Sequence, residues 1–294
     1  MASEVTVLMT TLNAERTLPT ALASIRAQTY TDWELLLVDN GSEDRSVQIG
    51  AETAAADPRI RVIPDEGPRG RPVKLNQLVD LAESPLFALM DADDVAYPHR
   101  LERQVAYLDV HPQVDLVGAA MLVFGVEGCA IGKRGVPIEH RKICARPRAG
   151  FRLFQPTWLG HAGWFRRHRY SERASRCEDQ DLLYRSYRTS VFANIGEPLL
   201  GYREERLMMG KLLSSRLNWT RMTGGRLWRE GQHGHALQIA ASQITKASVD
   251  AIAVGTGLGH RLSPQRAGRM SVKEAEEWRQ VWESFDPAPP ASGR

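Results

Sequence analysis

Two acidic clusters carry the chemistry this chain could do. Met90-Asp91-Ala92-Asp93-Asp94 places three carboxylates within four positions, straight after the apolar run Leu86-Phe87-Ala88-Leu89. Carboxylates crowded at the exposed end of a buried strand repel one another. A divalent cation such as magnesium relieves that repulsion, because hard ions take oxygen ligands and also bind substrate phosphates. A solvated acidic loop is the plain alternative. The second cluster is Cys177-Glu178-Asp179-Gln180-Asp181. Acids in the first turn of a helix are favoured by the macrodipole alone. One that faces a cleft could also act as a general base toward an acceptor hydroxyl. Metal and phosphate on one cluster, with a base on the other, is what transfer from a phosphorylated donor requires.

The elements that must position these residues follow from hydrophobic spacing. Apolar runs at 5–10, 33–38, 60–63 and 86–90 predict strands. Residues 16–28, 46–56 and 73–83 have helical spacing. Pro64 to Pro72 is a loop, and Asp39-Asn40-Gly41-Ser42 is a turn whose Asp and Asn could cap the next helix. Such alternation predicts a mostly parallel, Rossmann-like α/β sheet flanked by helices, with ligands beyond the carboxyl ends of the strands. A helix over 98–109, a strand over 114–126, a helix over 178–187 and strands at 191–195 and 199–203 follow. From about residue 204 the pattern is helical, over 207–216, 237–254 and 272–285, and 287–294 reads as a disordered tail. The expected division is therefore 1–203 catalytic, 204–286 a helical appendage, and 287–294 tail. Residues 236–254 suit a core or partner-packing helix, or one lying on a membrane surface.

The totals narrow the class. Of 294 residues, 43% are hydrophobic and 25% charged, which fits a soluble globular protein. Cys129, Cys144 and Cys177 are an odd number without metal-ligand spacing, so reduced thiols in the cytoplasm are expected. The N-terminus lacks a signal-peptide pattern, and no run is long and apolar enough to span a membrane. The net charge of +3 is too small to imply nucleic acid. Its distribution is uneven: residues 133–176 hold 12 Lys/Arg against two acids, leaving 26 basic against 33 acidic elsewhere. That block points to an anionic partner, or to a solvated basic face. No Gly-x-Gly-x-x-Gly follows the first strand and no P-loop is present, which weighs against dinucleotide enzymes and P-loop nucleotidases.

Met9-Thr10-Thr11-Leu12-Asn13, Leu37-Val38-Asp39-Asn40-Gly41-Ser42, Met90-Asp91-Ala92-Asp93-Asp94 and Glu178-Asp179-Gln180-Asp181 occur in an order that resembles family 2 glycosyltransferases of GT-A fold. The likeness runs over about residues 4–203. It implies an inverting single displacement from a nucleotide-diphosphate sugar, with Mg2+ or Mn2+ as cofactor. It also implies Asp39 at the nucleobase, Thr10 and Asn13 in the nucleotide pocket, Asp91 toward the ribose and Asp93 on the metal. Asp179 would be the base, preceded by Glu178; Asp181 is the weaker candidate. Arg71 or Lys74 could reach the base or diphosphate, or could be solvated loop charges. Between the clusters, Trp158, Trp164 and His161 are acceptor-side candidates, and ordinary packing accounts for them equally well. The Gln-x-x-Arg-Trp motif of processive synthases is absent after Asp181, so one sugar is expected per event. The expected partners are a nucleotide-sugar donor and a glycan or lipid-linked acceptor, with no nucleic acid. The expected location is the cytoplasm or the inner membrane face. Two rivals remain. An α/β phosphohydrolase or nucleotidyltransferase would also use Asp-x-Asp, but aspartate-nucleophile phosphatases carry it on the first strand. A nucleic-acid module built on 133–176 would leave both acidic clusters without a purpose.

Overall fold

The computed structural model describes residues 3–65, 67–204, 209–255 and 268–285. The first half alternates as expected: β1 (Val5–Thr11), α1 (Leu18–Arg26), β2 (Trp33–Asp39), α2 (Ser46–Ala56), β3 (Ile60–Ile63), α3 (Arg71–Leu81) and β4 (Leu86–Asp91). These four strands pair in parallel in the order β3-β2-β1-β4. They are apolar on both faces because helices cover both. Leu18, Leu22 and Ile25 of α1 pack on Val7, Met9, Leu35 and Leu37. Leu75, Leu78 and Val79 of α3 pack on Leu8, Leu36, Phe87 and Leu89 on the opposite face.

The second half mixes directions. It holds β5 (Val95–Ala96), α4 (Arg100–Val110), β6 (Leu116–Phe124), β7 (Ala130–Arg134), the short α5 (His140–Ile143), β8 (Leu159–His161), α6 (Ala162–Arg167), α7 (Glu178–Ser186) and β9 (Phe192–Arg203). β8 runs antiparallel between β4 and β6, and β9 runs parallel to β6. The two strands expected at 191–195 and 199–203 are one strand, irregular against β6 around Ala119 to Met121. Short β5, β7 and β8 carry too few residues for a period to register in the sequence. The Asp39 turn does not cap α2 either. Arg45 is its N-cap residue, and just ahead of it Asp44 Oδ1 accepts Ser46 N–H at 2.9 Å.

The C-terminal helices are α8 (Met209–Trp219), a π-helical turn (Thr220–Gly224), α9 (Gly225–Arg229), α10 (His233–Gly255) and α11 (Val272–Phe285). The expected tail at 287–294 lies outside the described residues. These helices fall into two packings. Trp219, Leu227, Ala236 and Ile239 form a small core with Ala174 and Cys177, just before α7. α11 seats on the far side of the sheet, where Trp278 is 1% exposed among Val95, Tyr97, Leu122 and Phe124. Its indole N–H donates to Gly128 O at 2.7 Å. Gly201 has no side chain because the Trp278 ring occupies the space a Cβ would need.

A capping box opens α11. Glu274 Oε2 accepts Ser271 N–H and Oγ–H, both at 2.8 Å, while Ser271 Oγ accepts Glu274 N–H at 3.2 Å. Lys133 of β7 donates to Glu274 Oε1 at 2.6 Å. Burial alone would raise this carboxyl, but the Lys133 and Ser271 bonds outweigh it and bring its pKa down to about 2. A depressed carboxyl stabilises the fold above its unfolded pKa, and that contribution fades as pH falls toward about 2. Glu274→Gln should cost about 1–2 kcal/mol near neutral pH, allowing for solvent screening. In urea unfolding at stepped pH, the gap to the unsubstituted protein should close below about pH 4. A gap that stays constant with pH would contradict this.

Candidate active site

β1, β2 and β4 end together. Thr10 lies beside both Val38 and Asp91, and Thr11 lies beside Asp39. Parallel pairing therefore places Thr10, Asp39 and Asp91 along one carboxyl edge, where the strand order switches sides of β1. Asp39 is buried, and its own turn occupies it. Oδ2 accepts Gly41 and Ser42 N–H at 2.8 Å, and Oδ1 accepts Ser42 Oγ–H. Asn13, at φ +50°, accepts Glu43 N–H at 2.9 Å, and Asn40 accepts Gly70 N–H at 2.7 Å. The loops after β1 and β2 and the start of α3 are thus tied into one frame.

Asp91, Asp93 and Asp94 offer carboxylate oxygens within 4.8 Å of one another. Asp94 is fully buried. Its Oδ1 accepts Arg203 N–H at 3.0 Å, and its Oδ2 has no hydrogen-bond partner. Withdrawal from water, then the Asp93 and Asp91 charges, push its carboxyl well above the usual range. The same two effects push Asp93, which still reaches solvent at the rim, up to about 6. Three hard oxygen donors with mutual repulsion and a buried orphan oxygen fit a divalent cation.

Arg71 links this cluster to the second one. It is ion-paired to Asp91, its Nε lies 3.5 Å from Glu178 Oε1, and its Nη2 donates to Gln155 Oε1 at 3.2 Å. It is the first residue of α3 rather than a loop residue. Lys74 differs: it is fully buried and paired with Asp65 at 2.6 Å, a structural position. Gln155 in turn donates to the Tyr170 hydroxyl at 2.9 Å, and Asn76 bonds the Tyr170 backbone at N–H and C=O. Glu178 is buried with an unpartnered Oε2, and burial raises its carboxyl although Arg71 opposes this. Asp179 accepts Gln180 Nε2–H at 3.0 Å through Oδ2. Asp181 is buried and paired with Arg185 at 2.7 Å and Arg226 at 3.6 Å, so it holds α7 in place.

A cleft of about 520 Å³ joins the two clusters. Arg71, Asp91, Gln155, Glu178 and Asp179 line it, together with Arg134, Arg176, Tyr202 and Ser215. Arg134 and Arg176 belong to the basic block at 133–176 but stood out from its other cations in no way, and Tyr202 and Ser215 carried no sequence signal; the four come from β7, the loop before α7, β9 and α8.

The acceptor-side candidates fail. Trp158 and Trp164 are fully buried core residues, their indole N–H groups satisfied by Leu153 O at 3.2 Å and Ser190 Oγ at 2.8 Å. His161 pairs with Leu86, at the opposite end of β4 from Asp91 and so about 16 Å away. Antiparallel β8 carries it in the wrong direction. Much of the basic block is engaged within the chain. Lys133, Arg134, Lys142, Arg167 and Arg169 pair with Glu274, Glu204, Glu139, Asp115 and Asp80, and Arg152 and Arg166 donate to backbone carbonyls. The phosphatase reading fails too, since the acidic triplet ends the fourth strand.

Residues 6–170 match the family described as Glycosyl transferase family 2. The chain belongs to that family. It is 33% identical over 216 residues to EpsE of Bacillus subtilis (strain 168), named a glycosyltransferase, covering 69% of this chain and 73% of that relative. Solved structures agree in fold. That of S. aureus TarS 1-349 with UDP has a TM-score of 0.57 at 19% identity, covering 98% of this chain and 81% of the other. That of the mannosyltransferase PcManGT from Pyrobaculum calidifontis with GDP-Man and Mn2+ has a TM-score of 0.56 at 16% identity, covering 97% and 85%. This glycosyltransferase has the GT-A fold, and its helical C-terminal region closes one wall of the cleft. Among the described residues no helix is long and apolar enough to cross a membrane.

Proposed function

We propose that this glycosyltransferase moves one sugar from a nucleoside-diphosphate donor to an acceptor hydroxyl by a single inverting displacement, with Mg2+ or Mn2+. The observation that carries this reading is the meeting of Asp91 and Asp179 on one cleft, with Asp93 and Asp94 clustered on Asp91. The UDP in TarS and the GDP-Man and Mn2+ in PcManGT support it by likeness of fold. Asp93, with Asp91 and Asp94, would hold the cation; when bound, it would neutralise charge developing on the leaving diphosphate. Thr10, Asn13 and Asp39 frame the base and ribose. Arg71, balanced between Asp91 and Glu178, orients the donor against both clusters.

Asp179 takes the proton from the acceptor hydroxyl as its oxygen bonds the anomeric carbon. The carbon–oxygen bond to the diphosphate breaks on the opposite face. The acceptor is a glycan, free or lipid-linked, in surface-glycan assembly. We place the enzyme in the cytoplasm or against the inner membrane face. Residues 1–203 are the catalytic domain, and helices α8 to α11 of the C-terminal region brace it.

Thermal unfolding with a panel of nucleoside diphosphates tests the donor assignment. One of them plus Mn2+ should raise Tm, and chelation should abolish the shift. Asp93→Asn should weaken metal-dependent nucleotide affinity more than tenfold. No response to any nucleotide, with or without metal, would refute the reading.

A further inference from the structure

Three guanidinium groups line the cleft, and two of them are neutralised. Arg71 pairs with Asp91 and Glu178, and Arg134 pairs with Glu204 and lies over the Tyr202 ring. Arg176 differs. Among the described residues no carboxylate lies within ion-pair distance of it. Among the described residues, its side chain bonds Ser214, from Nη1 to Oγ at 2.9 Å.

The chain invests in this placement. Arg176 sits at φ +64°, a left-handed conformation where glycine or asparagine is the usual occupant. Helix α8 over-determines it: Ser215 Oγ donates to Arg176 O at 2.8 Å, and Asn218 Nδ2 donates to Ser175 O at 2.7 Å. Trp219 packs against Ala174 and Cys177 on either side. Non-glycine residues held in sparse backbone regions cluster at functional sites. Here the result is a cation three positions before Asp179, on the same cleft wall. Asp179 likewise has no ion pair among the described residues. The cleft therefore presents a base for a hydroxyl and, beside it, a guanidinium with an unmatched positive charge.

We infer that the acceptor carries an anionic group, phosphate or carboxylate, near its reacting hydroxyl, and that Arg176 is the residue that binds it. A guanidinium matches either oxyanion with paired N–H donors. It also offsets the repulsion that Glu178 and Asp179 would exert on an anionic acceptor. The C-terminal helices then have a role in acceptor choice, since α8 holds the loop that presents Arg176. This inference rests on the glycosyl-transfer reading above.

The test is calorimetric titration of the full chain, with the donor site filled by its nucleoside diphosphate and Mn2+. Glucose 1-phosphate, glucuronic acid and methyl glucoside are the probes. They share a pyranose ring and differ in charge and in where it sits. At least one of the two anions should bind tenfold or more tightly than methyl glucoside, and which one does identifies phosphate or carboxylate. Arg176→Gly should reduce that preference to within twofold, and Arg176→Lys should keep part of it. Glycine suits the positive φ, and unchanged nucleoside-diphosphate binding by the same variant distinguishes loss of the anion contact from loss of folding. Nucleotide binding without anion preference, or a preference that survives Arg176→Gly, overturns this inference alone. A protein that binds no nucleoside diphosphate overturns it together with the donor assignment.

Discussion

Asp179→Asn should lower kcat by roughly 10³-fold, within the range a positioned general base contributes. The substitution keeps size and hydrogen bonding and removes only the ability to take a proton. Nucleotide affinity in the presence of Mn2+ should stay within twofold, because Asp179 lies on α7 and not on the acidic triplet of β4. Asp181→Asn is the internal control. That carboxylate is buried under Arg185 and Arg226, so its loss should lower Tm rather than act on the chemical step. Steady-state kinetics on both variants separate the two roles. Turnover within tenfold of the unsubstituted enzyme in Asp179→Asn would remove Asp179 as the base.

Trp278→Ala should destabilise the protein by about 3–5 kcal/mol, the usual result of emptying a buried aromatic site. The indole fills a slot between Tyr97 and Phe124, with ring centroids 5.9 and 4.7 Å away. Its removal also strands Gly128 O. The effect should extend to the metal cluster. Arg203 lies over the Phe124 and Trp282 rings, donates its N–H to Asp94, and donates Nε–H to Asp93 O at 2.9 Å. Loosening α11 therefore loosens the rim of the acidic triplet, and affinity for nucleotide plus Mn2+ should fall as well. Urea unfolding and nucleotide titration on one sample measure both. A loss below about 1 kcal/mol would mean that α11 is not part of the cooperative unit.

Some of this was legible residue by residue. Leu86 to Met90 reads as a buried strand because parallel strands covered on both faces are apolar throughout. Its end at Asp91 then follows, and so does the shared edge with Thr10 and Asp39. Glu178 and Asp179 were legible because a helix start shows itself by its acids. Arg71 was half legible: its sequence position allowed a solvated loop charge, and only the fold puts it between Asp91 and Glu178.

His161, Trp158 and Trp164 show where the reading fails. They lie between the two acidic clusters along the chain, and that nearness was no guide to the cleft. β8 enters the sheet antiparallel, which sends His161 to the far end of β4, and Trp158 and Trp164, on either side of β8, are buried in the core. Strand direction is a property of pairing, and three residues carry no sign of it. The basic block at 133–176 is divided for a related reason: Lys133, Arg134 and Arg169 meet Glu274, Glu204 and Asp80, partners too distant in sequence to be matched beforehand, while Arg176 is left to the cleft.

The sequence alone determined the parallel half of the sheet, the two acidic clusters and the family. Each is written in local periodicity or in short runs at element ends, where neighbours along the chain are neighbours in space. The tertiary structure decided which residues complete the cleft. Arg176, Ser215, Arg134 and Tyr202 arrive from four separate elements. The same holds for the C-terminal helices, which brace the site through Trp219 and Trp278 rather than standing apart from it. The physical reason is that packing partners are chosen by shape and burial over the whole fold, a quantity no window of sequence contains.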